Sequence, residues 1–180
     1  MFSSHKELLK SVDSSKLVGL VPTMGSLHKG HLSLVERALS ENEQVVITIY
    51  VNPTQFNDVK DLKQYPRNLE SDIDKLRHYK NIFIYSPADN DLYKEVVSKN
   101  YDLDNLDKIL EGKFRPGHFS GVATIVEKMF DIFNPDNAYF GEKDFQQLSI
   151  IKTMVKKLGI NVNIISCETI READGLAMSS

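Results

Sequence analysis

One cysteine in 180 residues, Cys167, leaves no intramolecular disulfide framework and no cysteine-cluster metal site. That is the pattern of a protein kept in a reducing compartment. The β-rich run Val162-Asn-Ile-Ile-Ser-Cys167 around it favours a buried structural thiol over a nucleophile. An excess of positive charge is also missing. The 22 Lys and Arg against 25 Asp and Glu give a formal charge of -3, so there is no global basic field of the sort non-specific nucleic-acid binding needs. Any anion site has to be local. Long apolar runs are absent as well: none approaches the roughly 20 residues that span a bilayer. The N-terminal Met1-Phe-Ser-Ser-His-Lys-Glu7 lacks the apolar core of a signal peptide, and we expect a cytoplasmic protein with no membrane segment.

No internal repeat, low-complexity tract or flexible linker interrupts the chain, and its 41% hydrophobic composition suffices for one sizeable core,. We therefore expect a single domain over residues 1–180. Ser4-His-Lys-Glu7 has the form of a capping box and predicts a short first helix. Leu17-Val-Gly-Leu-Val21 predicts a strand, ended by a turn at Pro22-Thr-Met-Gly25. Leu32, Leu34, Val35, Ala38 and Leu39 recur at helical spacing after Gly30, and Val45-Val-Ile-Thr-Ile-Tyr-Val51 is a β-branched run,. The result is a β-α-β unit. The polar stretch from Asn52 to Pro66 reads as a substrate loop, followed by a helix from about Asn68 to Tyr79 and a strand at Ile82-Phe-Ile-Tyr85. Val122, Ile125, Val126, Met129, Phe130 and Phe133 form a helical stripe within Phe119 to Phe133. Ala138-Tyr-Phe140 and Val162 to Ser166 read as strands flanking a helix from Asp144 to Leu158. Alternating elements of this kind predict an α/β protein, a Rossmann-like, mostly parallel sheet with helices on both faces and chemistry at the carboxyl ends of the strands.

Pro22-Thr-Met-Gly-Ser-Leu-His-Lys-Gly-His31 follows the first strand and opens a helix, where outward-facing backbone N–H groups form a natural phosphate site,. Its two imidazoles can donate to phosphate without lysine's permanent charge, and in protonated form can stabilise charge growing on a leaving pyrophosphate. Gly30 between them allows close ligand approach. Either histidine alone reads more readily as a cap or a satisfied buried side chain; the combined motif points to chemistry. Asp144-Phe-Gln-Gln147 likewise has the form of a capping box, so Asp144 has a structural reading beside a functional one.

His28-Lys-Gly-His31 resembles the His-x-Gly-His signature of nucleotidylyltransferases and class I aminoacyl-tRNA synthetases. The longer motif resembles the pantothenate synthetase family. Further blocks agree with it: Val51-Asn-Pro-Thr-Gln-Phe56, Leu110-Glu-Gly-Lys-Phe-Arg-Pro-Gly-His-Phe119, Phe140-Gly-Glu-Lys-Asp-Phe-Gln-Gln147 and Arg171-Glu-Ala-Asp-Gly-Leu-Ala-Met-Ser-Ser180. The resemblance implies an ATP-dependent ligase that activates (R)-pantoate as an acyl-adenylate and joins it to β-alanine. It implies ATP contacts from Met24, Gly25, Ser26, Leu27, His28, Lys29, Gly30 and His31, from Gly141, Glu142, Lys143 and Asp144, and from Ile170, Met178, Ser179 and Ser180. Among these, His31, as proton donor, His28 and Lys143 are the candidate catalytic residues. Gln55 and Gln147 match the pantoate-binding glutamines, whose amides both donate and accept, and Asn52 is expected to reach substrate with them. Glu111 and Arg115 either position the loop or second substrate or form a surface ion pair.

Magnesium is expected with ATP. Tyr65-Pro-Arg67 also matches the family, but Lys60 precedes Asp61 and Ser71 precedes Asp72 where relatives often carry acidic residues, and no protein ligand to a metal is assigned. The resemblance further implies a homodimer. It also implies that the sequence stops within the Met-Ser-Ser motif, before a smaller C-terminal lid domain, with reduced activity as the expected consequence. Two other readings stay open at this point: a nucleotidylyltransferase acting on a phosphate acceptor, and a module that binds ligand without turnover.

Overall fold

In the computed structural model, residues 1–93 and 97–180 are described. The chain runs through α1 (His5–Leu9), β1 (Val18–Thr23), α2 (Lys29–Glu41), β2 (Gln44–Ile49), α3 (Val59–Gln64), α4 (Leu69–Leu76), β3 (Ile82–Tyr85), α5 (Asp89–Leu92), α6 (Leu110–Phe114), α7 (His118–Phe133), β4 (Asn137–Gly141), α8 (Phe145–Leu158) and β5 (Asn163–Cys167). Short 3-10 turns occur at Pro53–Gln55, Leu106–Lys108 and Glu142–Asp144. The strands form one parallel sheet in the order β3-β2-β1-β4-β5. From β1 the chain steps outward to β3 on one side, then returns to place β4 and β5 on the other. The reversal falls between β1 and β4, the place where open α/β sheets form ligand crevices.

Strand residues alternate between two apolar layers, as the pleat requires. Val21, Val45 and Ile47 pack with Val35 and Ala38 of α2 and Leu76 of α4. Leu20 and Val46 face the opposite layer, built from Phe119, Val122, Val126, Met129 and Phe130 of α7, Leu148 and Ile151 of α8 and Leu8 of α1. A sheet covered on both faces reads as apolar runs instead of polar alternation, and every residue of β2 is buried. Each large apolar side chain removed from water here contributes about 1.5–3 kcal/mol.

Several local expectations change. β1 does not turn at Pro22; it continues beside β2 to Thr23. Its pairing with β4, in contrast, is confined to Gly19–Asn137 and Leu20–Ala138, so the two strands part before Pro22, which has no N–H to give to a ladder. The capping box expected at Ser4 does not close, and the Ser4 side chain makes no cap bond. Asp91 of α5 serves instead, accepting from the His5 backbone N–H at 2.8 Å. The box expected at Asp144 is also unformed. The stretch from Asn52 to Pro66, expected as a substrate loop, holds the Pro53–Gln55 turn and α3. Helix α4 is capped by Asn68, which accepts from the Ser71 N–H, and ends at Leu76, short of Tyr79.

Candidate active site

Where β1 and β4 separate, a cavity of about 420 Å³ opens at their carboxyl ends. Its lining brings together Met24, His28, Gly30 and His31 from the β1 side and Gly141, Lys143, Asp144 and Gln147 from the β4 side. Asn52 and Gln55 come from the turn after β2, and Ile170, Met178, Ser179 and Ser180 from the final segment. That segment folds back through an isolated bridge between Arg171 and Ala177, with the Met178 N–H donating to the Ile170 carbonyl at 3.0 Å.

The remaining expected contacts are not on this cavity. Gly25 lines a neighbouring one. Ser26, Leu27, Lys29 and Glu142 line neither; Leu27 is buried, Lys29 and Glu142 exposed.

The expectation of outward-facing backbone donors in the histidine motif is corrected by the geometry. The Gly25 N–H donates to Thr23 Oγ1 at 3.2 Å. Those of Ser26 and Leu27 donate to the two carboxylate oxygens of Asp72 at 2.9 and 2.7 Å. The His28 N–H donates to His31 Nδ1 at 3.3 Å, and the Gly30 N–H to His28 Nδ1 at 3.1 Å. The turn itself is left-handed at Gly25 (φ 85) and Ser26 (φ 51), conformations that need glycine or external support. Asp72 provides that support from α4, where it is 1% exposed.

Sequence reading missed this anchor, although a signal was present. Leu69, Asp72, Ile73 and Leu76 share one helical face, and a carboxylate on an apolar face needs buried donors. Asp72 thus commits both oxygens to the turn, and among the described residues no group of three His, Cys, Asp or Glu is arranged to hold an ion.

The two imidazole rings lie 4.1 Å apart between centroids. Because a backbone N–H can only donate, Nδ1 of each ring is an acceptor and the proton sits on Nε2. Burial lowers the His31 pKa to about 4, with His28 and Lys143 adding to the shift. Burial also lowers that of His28, followed by Lys143. At neutral pH His31 is therefore a neutral Nε2–H donor, the uncharged of the two forms considered from sequence; a polyphosphate against it would oppose the shift. Gly30 lines the cavity and has a further, steric reason to be small. A Cβ there would meet His28 Cε1 at 2.9 Å, so its smallness accommodates the His28 ring.

On the opposite side Lys143 Nζ stands 3.6 Å from an Asp144 carboxylate oxygen and 3.5 Å from Ser179 Oγ. The adjacent glutamines divide their work. Gln146 binds the carbonyls of Leu106 and Ile109 and the N–H of Glu111, whereas Gln147 has no hydrogen-bond partner among the described residues and faces the cavity. Asn52 lines the cavity but its amide is occupied. Nδ2 donates to Gln55 Oε1 and the Gly121 carbonyl, and Oδ1 accepts from Thr54 and Tyr93. It orients Gln55. Glu111 and Arg115 form the expected ion pair, yet both also line the cavity. His118, not singled out from sequence, lies beside them, and Val122, Val126 and Met129 serve at once as core and as cavity wall.

The fold and this site define the class: a Rossmann-like α/β protein with a His-x-Gly-His turn at the switch point of a parallel sheet. Within that class, a family profile described as pantoate-beta-alanine ligase matches residues 1–180, and the chain belongs to that family. It is 53% identical over 171 residues to the pantothenate synthetase of Flavobacterium psychrophilum, covering 94% of this chain and 61% of that protein. The crystal structure of pantothenate synthetase from Thermus thermophilus superposes with a TM-score of 0.93 at 43% identity, covering 99% of this chain and 64% of that one. The enzyme from Francisella tularensis, described as complexed with beta-gamma ATP and beta-alanine, gives a TM-score of 0.92 at 42% identity over 99% of this chain and 70% of that one. The chain thus spans about 61% of the length of the first curated relatives. Among the described residues no helix is long and apolar enough to cross a membrane.

Proposed function

We propose that this chain binds ATP with Mg²⁺ and (R)-pantoate, forms pantoyl-adenylate with release of pyrophosphate, and passes the pantoyl group to β-alanine to give pantothenate and AMP. The observation that carries the reading is one cavity lined both by phosphate-directed groups, His28, His31 and Lys143, and by the amides of Gln55 and Gln147. Membership of the family and the relatives' names support the choice of substrates, and membership likewise supports a homodimer in the cytoplasm. Met24, Gly25, Ser26, Leu27, Lys29 and Gly30, with Gly141, Glu142, Ile170, Met178, Ser179 and Ser180, are proposed to surround the nucleotide, those off the cavity by shaping the turns that bear the others.

In the first step a carboxylate oxygen of pantoate attacks the α-phosphorus, the bond to the bridging oxygen breaks, and pyrophosphate leaves with the electron pair. The Nε2–H groups of His28 and His31 and the ammonium of Lys143 donate to phosphate oxygens as charge grows on them. Gln55 and Gln147 donate to the carboxylate and accept from hydroxyls, and Asp144 accepts from the ribose. Mg²⁺ would accompany the nucleotide and supply positive charge to the polyphosphate beside Lys143; no protein ligand to it is assigned. In the second step the neutral amine of β-alanine attacks the carbonyl carbon of the mixed anhydride. The carbon–oxygen bond to AMP breaks and the new amide nitrogen loses its proton. No enzyme-bound covalent intermediate is required; positioning and electrostatics supply the catalysis.

Pantoate-dependent exchange of labelled pyrophosphate into ATP tests this reading. Exchange with pantoate is expected. Exchange with nicotinamide mononucleotide and none with pantoate would replace it with a nucleotidylyltransferase acting on phosphate esters.

A further inference from the structure

His118 is the first residue of α7, 6% exposed, and part of the cavity wall. Its Nδ1 lies 2.8 Å from the backbone carbonyl of Gln55, and its Nε2 lies 3.2 Å from an Arg115 guanidinium nitrogen. A carbonyl can only accept and a guanidinium can only donate. The proton of this imidazole is therefore on Nδ1 and its lone pair on Nε2, the reverse of His28 and His31. Burial, the largest influence on it, disfavours a second proton,.

The surrounding backbone fixes both partners. Asn57 donates to the Pro116 carbonyl, while Asn52 and Thr54 side chains donate to the Gly121 carbonyl at 3.1 and 3.3 Å. Any Cβ at residue 121 would stand 2.3 Å from the Thr54 carbonyl oxygen, so glycine permits this approach. The turn bearing Gln55 and the segment bearing Arg115 are thereby held side by side, with one imidazole bridging them at the cavity wall. The guanidinium nitrogen that faces His118 Nε2 also pairs with Glu111, so both contacts fall on one nitrogen and the rest of the fork is left for an anion.

Resting on the functional reading above, we propose that His118 is a positioning residue that couples Arg115 to the Gln55 turn, so that a cation and an amide meet the substrate carboxylate together. The imidazole contributes no contact of its own to substrate. It sets where Arg115 points relative to Gln55, and Arg115 supplies the charge complement to the acid.

A double-mutant cycle read by calorimetry on folded variants tests this, with (R)-pantoate and ATP titrated separately. His118→Asn retains a donor near the Nδ1 position and removes the acceptor for Arg115; Arg115→Met removes the cation. Each single change is expected to weaken pantoate by about tenfold, the scale of one hydrogen bond to a charged group. ATP affinity should stay within about twofold, and the double variant should be no weaker than Arg115→Met by more than about twofold. Should His118→Asn not fold, His118→Ala, which also lacks an acceptor for Arg115, takes its place in the cycle. Additive losses, or an equal loss of ATP affinity, overturn the coupling and leave His118 a fold-stabilising residue. Failure of the unmodified chain to bind pantoate is a different result and removes the functional reading itself.

Discussion

The two lips of the cavity are strand-turn-helix connections built on opposite plans. On the β1 lip the backbone donors from Gly25 to His28 are taken up by Thr23, Asp72 and His31, Leu27 is buried, and Gly30 lies beneath the His28 ring. On the β4 lip Glu142, Lys143 and Asp144 are exposed, a Cβ at Gly141 would meet nothing, and the ion pair of Lys143 with Asp144 is long. An exposed pair of that kind contributes about 0–1 kcal/mol. One lip is a template whose donors are oriented before anything binds; the other is a platform whose charges are free to settle on a ligand. Preorganised donors act most strongly where charge develops during reaction. On the proposed function, the histidines of the β1 lip would then act with Lys143 in the chemical step, while Asp144 on the β4 lip would serve nucleotide capture.

The sharpest way to break that division is His31→Ala. Removing a preorganised donor costs about 3–4 kcal/mol of transition-state stabilisation, so single-turnover adenylate formation should slow by about 10²–10³-fold while pantoate affinity changes little. Parallel losses in rate and equilibrium binding on the same folded variant would instead assign His31 to ground-state binding.

Asp72→Asn probes what holds the template. An amide presents one acceptor where the carboxylate presents two, and its NH₂ would face a backbone N–H of Ser26 or Leu27. Leaving a buried donor unsatisfied costs about 1–3 kcal/mol, which urea unfolding should register as a lower midpoint at unchanged slope. Undiminished stability would mean that the left-handed turn at Gly25 and Ser26 stands without its anchor.

Apolar periodicity made the parallel sheet and its covering helices legible, because both faces of β2 and one stripe of α7 are buried in uniform runs. The approximate location of the site was legible as well, from where the histidine motif falls after a strand. What one-dimensional reading could not supply was competition between partners. Ser4 and Asp144 carry cap chemistry, yet Asp91, distant in sequence, occupies the α1 N-terminus, and a 3-10 turn leads into α8. The donors of the histidine turn looked free because Asp72, on α4, is visible as their acceptor only after folding. Asn52 looked like a substrate ligand because nothing in sequence shows Gly121 and Tyr93 arriving at its amide. The misreadings at the α1 N-terminus, at Ser26 and Leu27 and at Asn52 each concerned a polar group with a partner from another element, which spacing along the chain does not encode.

The smallest expected effect separates the lips most cleanly. Asn68 and Asp144 both occupy N-cap positions, but only Asn68 makes the side-chain bond, accepting from the Ser71 N–H at 3.1 Å. Replacing a working cap by alanine costs about 1 kcal/mol, whereas an exposed side chain away from such features changes stability by no more than about 0.5 kcal/mol. Asn68→Ala should therefore lower the urea midpoint and Asp144→Ala should leave it nearly unmoved. ATP titration of the same Asp144→Ala protein should show weaker binding, because the carboxylate left unused by the helix is the one proposed to accept from the ribose. If Asp144→Ala instead destabilises as Asn68→Ala does and binds ATP normally, Asp144 is a cap, and the open lip loses its role in nucleotide capture.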